Sequence, residues 1–254
     1  MLKDRVVLVC GGTQGVGAGV VRAAVREGAS VTFSGRRPEV GRALADDLPP
    51  ERAFFVQSDL SDPVQAQSCV QAAIDRFGRV DSLVNAAGLT SRGTLLDTDV
   101  TLFDAHIAIN LRAPFLTMQA AVRDMRARRA AGTIVNIVSM AAHGGQPYLL
   151  PYSAAKAGLA GLTRNAAFAH RWDRIRINGV NIGWTETEGE DAIQRRFHGA
   201  GDDWLEKAGR DLPMGKLGQV DEIADFVVLL LSDRSGVVTG SIIDWDQVVI
   251  GPYA

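Results

Sequence analysis

In the stretch "PYSAAKAGLAGLT", Tyr152 stands four residues ahead of Lys156, in a run otherwise dominated by small and apolar residues. Residues i and i+4 share one face of a helix, so the phenol and the ammonium can reach a common site. Pro151, just ahead, suits the first turn of that helix. A free phenol titrates near pH 10 and is a poor base at neutrality. A neighbouring ammonium favours the phenolate and is expected to lower that value. The pair therefore suits proton transfer to a carbonyl oxygen or from a hydroxyl. Tyr148 has no lysine at its own i+4 position, which is Tyr152, and is assigned to a pocket wall.

A second chemical signal lies near the N-terminus. In "VCGGTQGVGAGV", Gly11, Gly15 and Gly17 form a GxxxGxG turn that also contains Thr13, Gln14 and Val16. Glycine lets a backbone turn sharply and approach a pyrophosphate, whose charge is stabilised at a helix N-terminus. The position, directly after a first strand, points to a dinucleotide. An NAD site typically places an acid on the ribose 2′-hydroxyl about 20 residues further on. Here "TFSGRRPE" has Gly35 where that acid is wanted, followed by Arg36 and Arg37. A guanidinium fork matches a phosphate, so NADP is expected in preference to NAD.

These residues need elements to place them. Apolar runs at 5–10, 30–34, 53–57, 81–85, 133–138 and 175–180 read as strands buried on both faces. Helical patterns at 16–28, 38–47, 62–77, 101–130 and 152–171 alternate with them. A helix at 220–231 leads to a last strand near 240–244. Such alternation predicts an α/β fold, a parallel sheet with helices on both faces. One domain is expected over 1–254, since no linker-like segment interrupts the pattern. The polar, glycine-interrupted segment at about 185–212 is expected to be a substrate lid with one or two short helices, because a connection that long needs a function.

Composition narrows the setting. A net charge of −2 gives no general attraction to nucleic acid or an anionic membrane. No apolar run approaches the ~18 residues of a membrane span, and the N-terminal one is too short for a signal peptide. Cys10 and Cys69 form no CxxC pair, so a reducing, cytoplasmic setting is expected. No clustered His and Cys pattern suggests a metal.

With the glycine turn, "NAAG" at 85–88 and the YxxxK pair in order, the chain resembles the classical short-chain dehydrogenase/reductase (SDR) family over essentially its whole length. That resemblance implies a Rossmann-type, doubly wound seven-stranded sheet in order 3-2-1-4-5-6-7, and a homotetramer or homodimer. It assigns catalysis to Asn110, Ser139, Tyr152 and Lys156. Ser139 is to orient the substrate oxygen, Lys156 to bond the nicotinamide ribose as well, and Asn110 to hold a water in the proton relay. Asp59 and Leu60 match the adenine contact, and Asn85, Ala86 and Gly88 the segment that stabilises the central sheet and lines the adenosine side. Gly183 and Thr187 match the loop over the nicotinamide and phosphates, and Thr185 stands where a Val or Ile commonly donates its backbone N–H to the carboxamide.

The chain also departs from the family pattern. Ile182 replaces the usual proline after strand six, and Trp245 and Asp246 replace two glycines near the C-terminus. His143 and Trp184 join Tyr148 as candidate substrate contacts. The expected activity is an NADP(H)-dependent interconversion of a secondary alcohol and a ketone. A sugar or polyol is preferred as substrate, because the lid is polar and Trp184 suits stacking on a sugar face. A 3-oxoacyl thioester or steroid-like ketone fits the same residues. An enoyl reductase does not, since that branch separates Tyr and Lys more widely. The alternative from another class is a non-catalytic, cofactor-sensing binding protein, which the retained catalytic set opposes.

Overall fold

The computed structural model describes residues 1–250. Seven parallel strands lie in the order β3-β2-β1-β4-β5-β6-β7. They are β1 (Val6–Cys10), β2 (Ser30–Gly35), β3 (Ala53–Gln57), β4 (Ser82–Asn85), β5 (Gly132–Ile137), β6 (Ile175–Ile182) and β7 (Ile242–Trp245). The central strands β1, β4 and β5 are buried throughout, as their largely apolar character requires. The outermost strands are not. β3 leaves Phe54 exposed and Phe55 half-buried, correcting the expectation of burial on both faces, because an edge strand has a neighbour on one side only.

Alternation along each strand feeds two cores. Val7 and Val9 of β1 pack with α1 (Gly15–Arg26) and α9 (Val220–Leu231). Leu8 and Cys10 face the other way, into α3 (Pro63–Phe77) and α5 (Ala113–Ala127). The second core also takes Ala167 of α6 (Leu150–His170). Helix α2 (Pro38–Asp46) follows β2 and adds Leu44 to the first core. Burial brings Cys10 and Cys69 together with 3.6 Å between sulfurs as free thiols. Their mutual contact and burial push the Cys10 thiol well above its ordinary pKa.

The helix expected over 101–130 is two helices, α4 (Val100–Ile107) and α5, joined by a π-helical turn over Ala108–Arg112. Pro114 explains the break. It has no N–H to offer the Asn110 carbonyl four residues earlier, and the Ala113 N–H reaches back five residues to Ala108. Within 185–212 lie α7 (Glu188–His198) and α8 (Trp204–Arg210). Thr187 caps α7 through Glu190 N, with acids in its first turn and Arg195, Arg196 and His198 in its last. No helix of the described residues is long and apolar enough to cross a membrane.

Candidate active site

Parallel strands end on the same side, and the connections leaving the adjacent strands β1 and β4 run to opposite halves of the sheet, opening a crevice at their C-terminal ends. A cavity of about 1120 Å³ lies there. Its floor is the glycine turn, and the structure gives each glycine a reason. Gly11 has φ +81°, and a Cβ there would lie 2.5 Å from Ala87 Cα. A Cβ on Gly17 would overlap the Gly11 carbonyl oxygen. Thr13, Gln14, Gly15 and Val16 complete this wall of the cavity, at the N-terminus of α1. The cradle is thus open to a ligand and closed to side chains, which suits the pyrophosphate of a dinucleotide.

Gly35 ends β2 against Thr13, where a Cβ would sit 2.5 Å from Thr13 Cγ2. An acid at this position therefore has no room. Arg36 and Arg37 follow in the cavity wall, and Arg37 donates to Gln14 Oε1, tying the second loop to the first. Asp59 and Leu60 also line the cavity. The Asp59 carboxylate is engaged by Ser61, at 2.9 Å from its N–H and 2.8 Å from its hydroxyl. Ala86 and Gly88 line the next wall, but Asn85 does not. Asn85 is buried in the sheet, donating to Asn136 Oδ1 at 2.8 Å and accepting from Thr117 Oγ1 at 2.7 Å. Asn136 donates onward to Thr163. This cross-sheet hydrogen-bond chain between α5 and α6 is the stabilisation of the central sheet expected of the segment.

Tyr152 and Lys156 both line the cavity from the start of α6, together with Ser139 at the end of β5. Lys156 is 3% exposed and donates to the Ile137 carbonyl at 2.6 Å. Its Nζ lies 5.6 Å from the centre of the Tyr152 ring. Burial lowers Lys156 to about 8. Burial also raises Tyr152 above its ordinary value, opposed by the Ser139 hydroxyl; Glu190 adds to the rise and Arg92 opposes it. The expected lowering of the phenol by the lysine is therefore not found: desolvation dominates, and Lys156 is not among the groups that shift it. The phenol stays protonated at neutral pH, as a proton donor must.

Asn110, in the π-helical turn, keeps its side chain out of the cavity wall. Its Oδ1 accepts from Leu89 N and its Nδ2 donates to Leu89 O, both at 3.0 Å. Backbone partners of fixed polarity orient the amide, so Nδ2 also donates to His106 Nδ1 at 3.1 Å. His106 is then neutral with its proton on Nε2, which reaches Ser91 Oγ at 3.1 Å. Its ring packs edge-on against Tyr152 at 6.2 Å, and burial lowers its pKa. Sequence reasoning missed His106; its only signal was its position four residues before Asn110.

Gly183, Trp184, Thr185 and Thr187 roof the cavity, with Thr187 in contact range of Gly15. Trp184 donates to Glu190 Oε1 at 2.8 Å and packs 6.0 Å from Trp204. Tyr148 lies in the wall, but His143 does not. His143 turns to Asp244 and Asn181, at 3.0 and 3.1 Å, because the loop after β5 folds it over the ends of β6 and β7. Asp246, the unexpected carboxylate, lines the cavity where it abuts Gly183. Trp245 instead packs against the core, over Gly218.

Comparison with known proteins agrees with this geometry. A family model described as enoyl-(acyl carrier protein) reductase matches residues 11–247. The chain is 34% identical over 248 residues to a trans-4-hydroxycyclohexanecarboxylate dehydrogenase of Sinomonas cyclohexanicum, covering 94% of this chain and 90% of that one. It is 33% identical over 251 residues to an L-rhamnose 1-dehydrogenase (NAD(P)(+)) of Azotobacter vinelandii, covering 95% and 94%. The structure of a point variant of actinorhodin polyketide ketoreductase with NADPH superposes with a TM-score of 0.90 at 26% identity, covering 96% of each chain. The chain belongs to the classical short-chain dehydrogenases/reductases, oxidoreductases that act on CH–OH groups with a nicotinamide dinucleotide as acceptor.

Proposed function

We propose that this protein uses NADP(H) to interconvert a secondary alcohol and its ketone, with a ring alcohol such as a sugar or polyol as substrate. The observation that carries the reading is the placement of Tyr152, Lys156 and Ser139 in one wall of a cavity floored by the glycine cradle. The nicotinamide, when bound, supplies or accepts the hydride. Tyr152 holds the proton that a ketone oxygen takes up on reduction, and Ser139 orients that oxygen. Lys156, anchored on the Ile137 carbonyl, places positive charge beside the ring, and from there it would hydrogen-bond the nicotinamide ribose. Asn110 would hold the relay water, and Pro114 denies its main-chain carbonyl the usual donor four residues on.

NADP is favoured by Arg36 and Arg37 in the cavity wall and by the lack of room for an acid at Gly35. The hydroxycyclohexane named in one relative and the sugar named in the other support the proposed substrate. The four-residue spacing of Tyr152 and Lys156 favours carbonyl over enoyl reduction. We further assign residues 1–254 to one domain, with α7 and α8 as its substrate lid, working in the cytoplasm as a homotetramer or homodimer. Apolar side chains exposed on α5 and at the end of α6, including Phe115, Phe168 and Trp172, suit such contacts.

The test is spectrophotometric. Purified protein is screened with NADPH and NADH against cyclic ketones and keto-sugars, and with NADP and NAD against the alcohols. Turnover with NADPH, and its loss in Y152F with NADPH binding retained, supports the reading. Turnover with NADH alone overturns the cofactor assignment, and an active Y152F overturns the proton donor.

A further inference from the structure

The cavity holds a cation that the reaction above does not use. Arg92 lies in the loop between β4 and α4 and lines the cavity with Tyr148, Tyr152 and Glu190. Its Nη1 donates to Thr90 O at 3.0 Å. Its Nε and Nη2 lie 3.3 and 3.2 Å from His198 Nε2, at the end of α7. Its guanidinium carbon sits 5.3 Å from the centre of the Tyr148 ring, and that ring meets His198 edge-on at 5.5 Å. Arg92 is thus fixed by a backbone carbonyl, a neutral imidazole and an aromatic face, drawn from three parts of the chain.

None of these partners carries a compensating charge. Among the described residues no carboxylate is ion-paired with Arg92, although most of the ion pairs there use an arginine. Glu190 makes no ion pair with it and accepts instead from Trp184 Nε1 and Gln194 Nε2, both on Oε1, at 2.8 and 2.7 Å. Asp246 accepts from Gln247 N. A guanidinium has five N–H groups; three are engaged here, leaving one on each terminal nitrogen. That is the donor pair a carboxylate accepts bidentately. The charge also reaches the reacting group, since Arg92 opposes the upward push of Glu190 on the Tyr152 phenol.

We infer that Arg92 is a specificity-determining residue that binds a carboxylate on the substrate, so that the preferred substrates are hydroxy acids and keto acids with the reacting carbon remote from the carboxylate. This rests on the alcohol–ketone reading above. It adds that the substrate is an anion, positioned by Arg92 at one end and Tyr152 at the other.

Two measurements test it. The first compares kcat/KM with NADPH for 4-oxocyclohexanecarboxylate and its carboxamide, which differ in charge and little in shape. The carboxylate is expected to be preferred at least tenfold, the ratio to fall near one in R92Q, and part of it to survive in R92K. Equal use of both by the wild type, or a ratio unchanged in R92Q, overturns the assignment. The second measures cyclohexanecarboxylate binding to the protein–NADPH complex by calorimetry, which needs no turnover. Binding weakened at least tenfold in an R92Q protein of unchanged melting temperature supports the anion site, and unchanged or absent binding overturns it. Binding without turnover of either ketone counts against the catalytic reading alone, whereas turnover without carboxylate preference counts against Arg92 alone.

Discussion

Lys156 is charged, buried and surrounded by little that compensates it, so its replacement is expected to stabilise the fold while removing activity. Burial takes its pKa from 10.5 to about 8. At about 1.4 kcal/mol per pKa unit, the folded protein carries the ammonium at a disadvantage of roughly 3 kcal/mol at neutral pH. Between pH 8 and 10.5 the unfolded chain holds a proton that the native lysine has lost, so stability rises with pH through that window. K156M removes the charge but leaves the Ile137 carbonyl without its donor, which costs about 1–2 kcal/mol. The net gain is about 1–2 kcal/mol at pH 7, or roughly 2–8 °C in melting temperature. Thermal unfolding of both proteins without cofactor, at pH 7 and pH 9.5, measures it. K156M is expected to melt higher at pH 7, with the gap narrowing at pH 9.5 as the wild type sheds its proton. A variant that melts lower at pH 7, or a gap that does not narrow, refutes the reasoning.

Other consequences follow from the same site. For ketone reduction, kcat/KM is expected to hold at neutral pH and fall above about pH 8, as Lys156 loses its charge while the raised phenol stays protonated; a profile flat to pH 10 contradicts this. H106F keeps an aromatic ring but strands Asn110 Nδ2 and Ser91 Oγ. It should lose about 1–3 kcal/mol of stability by urea unfolding and lower kcat more than it raises KM. In the wild type the depressed pKa of His106 makes stability fall as pH drops below 6.5, since the unfolded chain then binds the extra proton; H106F should lack this slope. G17A places a methyl group on the Gly11 carbonyl oxygen. An overpacking cost of about 1–3 kcal/mol, taken up by displacement of the cradle, implies roughly 5- to 150-fold weaker NADPH binding by fluorescence titration.

Much of this molecule is local in origin, and local features are legible in the chain. The largely apolar runs of β1, β4 and β5 specify strands because only a sheet covered on both faces buries every residue of them. The glycine turn is legible because close backbone approach excludes any side chain, and the Tyr152–Lys156 pair because the helical repeat carries i and i+4 to one face. Pro114 already implied a missing hydrogen bond within the long helix, although the π-helical turn it produces emerged only in three dimensions.

What the chain does not state is who meets whom across the fold. The residue pattern marks Asn85 and Asn110 as polar, but their partners Asn136, Thr117 and Leu89, against which both side chains are buried, appear only in the packed fold. His106 becomes a neutral imidazole only because Leu89 fixes the Asn110 amide that faces it. The balance of charge on Tyr152 reverses for the same reason: spacing places a lysine beside it, while the surrounding mass of protein withdraws water from both. Arg92 and His198 are brought together by the fold from distant parts of the chain, and no periodicity links them. Backbone conformation and helical facing depend on neighbours along the chain, whereas desolvation and long-range hydrogen bonding depend on the packed whole, and so only tertiary structure decides them.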